Sequence, residues 1–215
     1  MHQSRASHTA PSRLWAVPMN QLLPFILFTF VASITPGPTN MLVLNSSARF
    51  GWRAALPLII GACVSAASIV LLVGLGLGEI LMRLPRLQQA MAWLGVGWIS
   101  LLAWKLWRSA DASLDSGSDA VRIGAWGGAG LQLINPKTWM MAIAVVSVFA
   151  GADAGVFGYG IHALIFVLVA MPCLLGWAAI GRGAVRLLQS NRALRRFNKG
   201  MTLLLLVSAW SSLLI

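Results

Sequence analysis

The chain has 215 residues, 58% of them hydrophobic and only 10% charged, with a mean hydropathy of +0.79. A soluble globular chain is roughly 45–50% apolar and about 25% charged, so a single core in water would leave too much apolar surface outside. These values exclude a water-soluble globular enzyme and a disordered chain, and point to an all-α membrane protein made of spanning helices. The formal net charge is +11, from 16 Lys and Arg against 5 Asp and Glu. The bases sit between apolar runs, so they read as topogenic charge facing anionic headgroups and not as a nucleic-acid surface.

Residues 1–18 are polar, rich in Ser, His, Arg and Pro, and read as a flexible tail or as sequence ahead of a start at Met19. They are not a signal peptide, because the apolar run that follows is too long and has no small-residue cleavage site. Apolar runs follow at 22–44, 54–77, 87–104, 126–149 and 156–180. A sixth, 201–215, has 15 residues, about 22 Å of helix at 1.5 Å per residue. It spans only if its helix begins near Leu194, with Arg195, Arg196 and Lys199 snorkelling to the headgroups. None of the runs alternates as a membrane strand does. The expected organisation is a tail (1–18), a first three-helix repeat (19–108), a cytoplasmic linker (109–125) and a second three-helix repeat (126–215). Asp111, Asp115 and Asp119 in the linker lack the ligand spacing and the final glutamate of a calcium loop. Cys63 and Cys173 lie inside apolar runs without metal-ligand spacing and read as buried hydrophobes.

Lys and Arg placement orients six spans. One side carries Arg5, Arg13, Arg83 and Arg86; the other carries Arg49, Arg53, Lys105, Arg108, Arg122, Arg182, Arg186, Arg192, Arg195, Arg196 and Lys199. The second side is therefore cytoplasmic and both termini face outward. Trp52, Trp104, Trp107, Trp126 and Trp177 lie near the cytoplasmic ends, as an aromatic belt does.

An internal repeat is visible at an offset of 100 residues, where Pro36, Met41, Ser47 and Gly51 fall on Pro136, Met141, Ser147 and Gly151. Each half holds three runs, an odd number, so the second half enters the membrane from the opposite face. This is the inverted repeat of many secondary transporters, whose sites lie near the midplane where helices break. The competing reading is a chance alignment of similar runs.

Two break points carry the chemistry. Thr35-Pro36-Gly37-Pro38 interrupts the first run and Asn40 follows. Each proline removes an N–H and clashes with the carbonyl four residues back, so carbonyls near Ala32, Ile34 and Thr35 lose their helical partners and need protein, water or a ligand. The fourth run holds Asn135-Pro136-Lys137. Lys137 is the only charge inside the apolar core of a run, about 16 Å along the helix from Trp126. Its counter-charge is a substrate carboxylate, freed carbonyls or water; the bland alternative is snorkelling. His162 is the only intramembrane histidine, and reads either as a hydrogen-bonded core residue or as a proton carrier. No deep acid, nucleophile–base pair, HExxH or GxxxxGK[ST] motif is present. No enzyme, ATP-driven pump, metal site or cofactor is expected.

The stretches Ser33-Ile34-Thr35-Pro36-Gly37-Pro38-Thr39-Asn40 and Leu131-Gln132-Leu133-Ile134-Asn135-Pro136-Lys137-Thr138-Trp139, with Ala48-Arg49-Phe50-Gly51-Trp52-Arg53 before the second helix, resemble the lysine exporter / homoserine–threonine exporter (LysE/RhtB) family. The Asn-Pro-Lys-Thr-Trp-Met-Met stretch is most similar to its cysteine/O-acetylserine exporter branch. The resemblance implies a bacterial inner-membrane exporter of amino acids or derivatives (cysteine/O-acetylserine or homoserine/threonine type), driven by protons. It also implies a transport path shaped by Pro36, Gly37, Pro38 and Asn40 from one half and by Asn135, Pro136 and Lys137 from the other. Two departures concern substrate and coupling: Leu58 follows Pro57 where many members of the branch have His, and helix two reads Gly61-Ala62-Cys63-Val64-Ser65 where some relatives have a second Gly or an acid. The mechanism expected from both readings has Lys137 attract a substrate carboxylate, while carbonyls around Thr35–Pro38 and Asn40 hold its ammonium and one half rocks against the other. Rival readings are export of another small metabolite, a channel and a non-transporting scaffold. Gly74, Gly76 and Gly78 permit close packing, against this chain or a second copy in a homodimer.

Overall fold

The computed structural model describes residues 19–110, 122–151, 154–187 and 191–211. The tail 1–18 and the linker residues 111–121, with the three aspartates weighed as a calcium loop, lie outside the described residues. The described residues form helices and connections, with no strand among them. In chain order the helices are α1 (Met19–Ile34), α2 (Pro38–Phe50), α3 (Trp52–Leu72), α4 (Gly78–Arg83), α5 (Pro85–Ala110), α6 (Ala125–Leu133), α7 (Pro136–Ala144), α8 (Gly155–Leu187) and α9 (Asn191–Ser211). Wide π-type turns at Val73–Leu77 and Val145–Ala150 continue α3 into α4 and extend α7.

Helix occupies each of the six expected runs, but the spans are not six equals. Trp52–Arg83 and Gly155–Val185 are each long and apolar enough to cross a membrane. Gln21–Ile34 with Pro38–Phe50, and Ala125–Leu133 with Pro136–Ala150, pass the same test only as pairs, bent by 58° and 69°. The described chain thus holds between two and four candidate spans. The third and sixth expected spans, α5 and α9, carry Arg86, Lys105 and Arg108, and Arg192, Arg195, Arg196 and Lys199, which lower their hydropathy. They pair with each other in opposite directions: Trp93 meets Trp210 edge-on at 6.3 Å, while Lys199 Nζ lies 5.1 Å over the Trp107 ring.

Both bends place a proline where a helix starts. Pro38 and Pro136 occupy the first turns of α2 and α7, where the missing N–H is no loss and the fixed φ suits the helix. Gly37 caps α2 with extended backbone, and Asn135 caps α7 by accepting a hydrogen bond from the Lys137 N–H through its side chain at 3.2 Å. The repeat is therefore offset by 98 residues at these starts and by 100 at the ends, where Gly51 (φ 84°, ψ 161°) and Gly151 (φ 79°, ψ 158°) adopt the same left-handed turn. The π turn at Val145–Ala150 takes up the difference. Aligning Pro36 with Pro136, as the sequence suggests, is two residues out at the breaks.

α3 and α8 lie side by side in opposite senses at the centre: the Tyr159 ring sits against Gly74, and Arg182 against Gly51. Each is lined by the first half of the other half's broken helix, running parallel to it. α1 follows α8, from Phe25 beside His162 to Ile34 beside Trp177. α6 follows α3, from Ala125 at Gly61 to Ala129 at Ser65. The core joins Leu58, Ile59, Ala62, Leu131, Phe166 and Leu174. Outward faces carry exposed Leu23, Leu27, Val64, Leu94, Leu164 and Leu168, an apolar surface suited to lipid.

The α3–α6 seam depends on small residues. A Cβ on Gly61 would collide with the Ala125 carbonyl and one on Gly128 with the Leu58 carbonyl. Backbone cannot swing aside as a side chain can, so Gly61→Val should lower unfolding stability by about 3 kcal/mol, the upper end for overpacking. Gly97→Val, where a Cβ meets nothing within 4 Å, should be close to neutral in the same thermal-unfolding assay in detergent.

Candidate functional site

Among the carbonyls that the break after Ile34 frees in the middle of an apolar helix pair, those of Ser33, Ile34 and Thr35 are taken by side chains. Asn40, buried on the first turn of α2, donates from Nδ2 to Ser33 O at 2.9 Å and to Thr35 O at 3.0 Å. Trp177 of α8 donates from Nε1 to Ile34 O at 3.2 Å. Lys137 of α7 reaches across 102 residues and donates from Nζ to the same Thr35 O at 3.3 Å. At the second break, Trp139 Nε1 donates to Leu133 O at 2.8 Å. An unsatisfied backbone group in lipid costs several kcal/mol, so these contacts hold the breaks open as stable features.

The eight residues expected from sequence all lie where the two breaks meet. Gly37, Pro38, Asn40, Asn135 and Lys137 line one cavity of about 50 Å³, room for a few waters. Thr35, exposed between the helices, contributes its carbonyl from behind, and its hydroxyl donates to Val31 O. Pro36 in the connection and Pro136 at the start of α7 shape the bends and are not part of the cavity wall. Gly37 is packed so close that a Cβ there would lie 3.4 Å from Lys137 Nζ. In this structure the Ser33, Ile34 and Thr35 carbonyls, which the sequence reading offers to a substrate ammonium, accept from Asn40, Trp177 and Lys137.

Sequence reasoning passed over the centre of the polar network. Gln132, buried near the end of α6, accepts at Oε1 from Thr138 Oγ1 at 2.8 Å, Thr39 Oγ1 at 3.3 Å and Asn135 Nδ2 at 3.4 Å, and donates from Nε2 to Ala62 O at 3.5 Å. It ties α2, α3, α6 and α7 together. An amide inside an apolar run was the available signal. Trp177, expected in an aromatic belt, is half-buried at the first break. Cys63, on the cavity wall, and Cys173 are free and buried, as expected. Among the described residues no group of His, Cys, Asp and Glu could hold a metal ion.

A family model described as LysE type translocator matches residues 30–214. The chain is 32% identical over 127 residues to a cysteine/O-acetylserine efflux protein of Klebsiella pneumoniae, a match covering 58% of this chain and 63% of that one. It is 28% identical over 128 residues to the protein of the same name in Salmonella typhimurium, covering 60% and 65%. The chain thus spans less than two thirds of the length of these relatives. With the Escherichia coli K12 protein of that name it shares 28% identity over 192 residues, covering 87% and 95%. No solved structure matches.

The network around Gln132 predicts a graded response. Gln132→Leu removes the shared acceptor of Thr138, Thr39 and Asn135 at once and should cost about 2 kcal/mol of stability, whereas Thr39→Val removes one long bond and should cost at most about 1 kcal/mol. Thermal unfolding of the purified variants in detergent measures both.

Proposed function

We propose that this chain, which belongs to the LysE type translocator family, exports a small amino acid or derivative across the bacterial inner membrane by proton-driven alternating access. The observation that carries the reading is the contact of Lys137 Nζ with Thr35 O at 3.3 Å inside the cavity between the two breaks. It sets a cation donor against a backbone acceptor. A zwitterion inserted between them offers its carboxylate to Lys137 and its ammonium to Thr35 O, matching both partners. The cysteine/O-acetylserine efflux relatives make small neutral amino acids of that type the first candidates.

Alternating access follows from the same contact. Lys137 Nζ and Thr35 O are in contact at 3.3 Å, so a substrate that binds between them requires the walls to part. The Lys137–Thr35 bond joins the two halves, and a substrate that replaces it lets one half rock against the other. Six spans arranged as two inverted three-helix repeats support this motion. α5 with 26 residues and α9 with 21 extend about 39 Å and 32 Å, enough to cross a bilayer, with their basic residues at the headgroups. The parallel pairs α1 with α8 and α6 with α3 run in opposite directions, as an inverted repeat requires. The Gly51 turn gathers Arg49 and Arg122 about the Phe50 ring, at 5.8 Å and 5.2 Å, with Arg182 beside it and Arg53 over Trp52. This basic end is the cytoplasmic one and both termini face outward.

Cells overproducing the protein and loaded with labelled cysteine, O-acetylserine, homoserine and threonine should release one or two of them selectively. Lys137→Met should reduce that release by at least about tenfold, the scale of a lost charged hydrogen bond, and Lys137→Arg should retain part of it. Full-rate release by Lys137→Met, with the protein present in the membrane, would show that the lysine does not bind the carboxylate. No selective release by the wild type would move the reading to another metabolite or to a scaffold.

A further inference from the structure

Among the described residues two buried side-chain atoms have no hydrogen-bond partner, Thr29 Oγ1 and His162 Nε2. Thr29 is 0% exposed and His162 3%. Stranding such groups in an apolar interior is costly, and these two lie on the paired helices α1 and α8. The His162 ring packs against Phe25, one turn before Thr29, at 4.9 Å between centroids. One turn further inward on each helix stand Ser33 and Phe166, and both line the substrate cavity. The two orphaned atoms therefore belong to side chains set about 6 Å along their helices from that cavity, four residues at 1.5 Å each.

The chemistry of His162 is set by its other nitrogen. Nδ1 lies 2.9 Å from the Gly158 carbonyl. A carbonyl only accepts, so Nδ1 carries the hydrogen and, in the neutral ring, Nε2 holds a bare lone pair. A threonine hydroxyl both donates and accepts. Ionisable neighbours are scarce. α1 contributes Phe25 and Phe28 here, and the turn after α7 contributes Phe149, stacked on both at 5.4 Å and 5.3 Å. The turn after α3 contributes Gly74, against the Tyr159 ring. Tyr159 itself donates its hydroxyl to Gly151 O. α2 meets α8 toward the far end, where Gly181 lies on Leu44 and Ser47 bonds Ala178 O. Near the outer end, among the described residues, Glu79 and Arg83 on α4 are exposed and paired with each other at 3.9 Å, and Arg86 stands in the first turn of α5.

We propose that His162 Nε2 is a proton-binding site that carries the coupling proton between the outer face and the substrate cavity, with the Thr29 hydroxyl as its relay. A proton from outside adds to Nε2, giving an imidazolium that keeps its Nδ1–H bond to Gly158 and lies beside the Phe25 ring, where a cation is favoured. The proton binds as substrate departs outward; it leaves Nε2 toward Ser33 and the cavity when the cavity faces the cytoplasm and the next substrate binds, and the imidazole returns neutral. When Thr29 relays, its oxygen accepts one proton as its own passes on, so no charge is left behind. The site supplies what a transporter without a deep carboxylate needs, and it rests on the reading of the chain as a proton-driven exporter.

The test uses the full chain in proteoliposomes with labelled O-acetylserine and cysteine. Substrate accumulation driven by a pH gradient is compared with substrate exchange at equal pH. His162→Gln, which keeps a donor for Gly158 but binds no proton, should lower the ratio of gradient-driven accumulation to exchange by at least about tenfold. It should also abolish the proton release that a pH indicator detects when substrate is added to the solubilised wild type. Thr29→Val, which leaves the imidazole and the packing in place, should lower the same ratio and carries the test if His162→Gln does not fold. An unchanged ratio in both variants, or unchanged proton release in His162→Gln, overturns the proton site. A wild type that exchanges substrate but ignores the pH gradient overturns the proton site and leaves the export reading standing. A wild type that moves neither probe overturns export of these amino acids, and the coupling site falls with it.

Discussion

A backbone carbonyl inside a lipid-facing helix pair must find a hydrogen bond, and this requirement organises the centre of the molecule. The net gain from one such bond is about 1 kcal/mol, but the penalty for leaving the group unpaired in lipid is several. The penalty therefore dictates the arrangement. The break at Thr35–Gly37 exposes Ser33, Ile34 and Thr35, and their partners arrive from α2, α7 and α8. A defect in one helix thus becomes a junction of four. The same groups that hold the junction together are the ones a polar substrate can compete for.

The two breaks solve one problem by different means. In the first, Gly37 has no side chain to cap α2, and the Thr35 carbonyl is served by Asn40 and Lys137. In the second, Asn135 caps α7 with its own side chain, and Trp139 serves Leu133 from within the following turn. The first break is therefore held by Asn40 from its own following turn together with two distant partners, Lys137 and Trp177, and the second by its own neighbours. The contact that spans the two halves is that of Lys137 Nζ with the Thr35 carbonyl. Gln132 joins the second break to α3.

Close backbone approach complements the polar junction. Glycines at 61, 128 and 181 bring α6 onto α3 and α2 onto α8 with no side chain between, and packing at small residues is the principal attraction between helices in lipid. The seams follow the broken helices, so each half grips the long helix of the other.

Much of this is written in composition and local chemistry. Hydrophobic runs of sufficient length specify helices in a membrane, because no other open structure satisfies its backbone there. Proline and glycine at 36–38 and proline at 136 specify breaks, because the ring removes a donor wherever it stands. The eight residues named from those motifs meet at one place for that reason. Local rules do not say how a break is repaired. Gln132 looked like one more residue of an apolar run and Trp177 like part of a belt, since their roles depend on partners up to 143 residues away. The two-residue slip of the repeat at its prolines was hidden for a similar reason, because a π turn at the far end restores the register at Gly151. The sequence by itself determines that the chain is helical, apolar and broken twice. Which carbonyl meets which side chain across the breaks comes only from tertiary packing, because those bonds join segments that have no proximity until the helices are assembled.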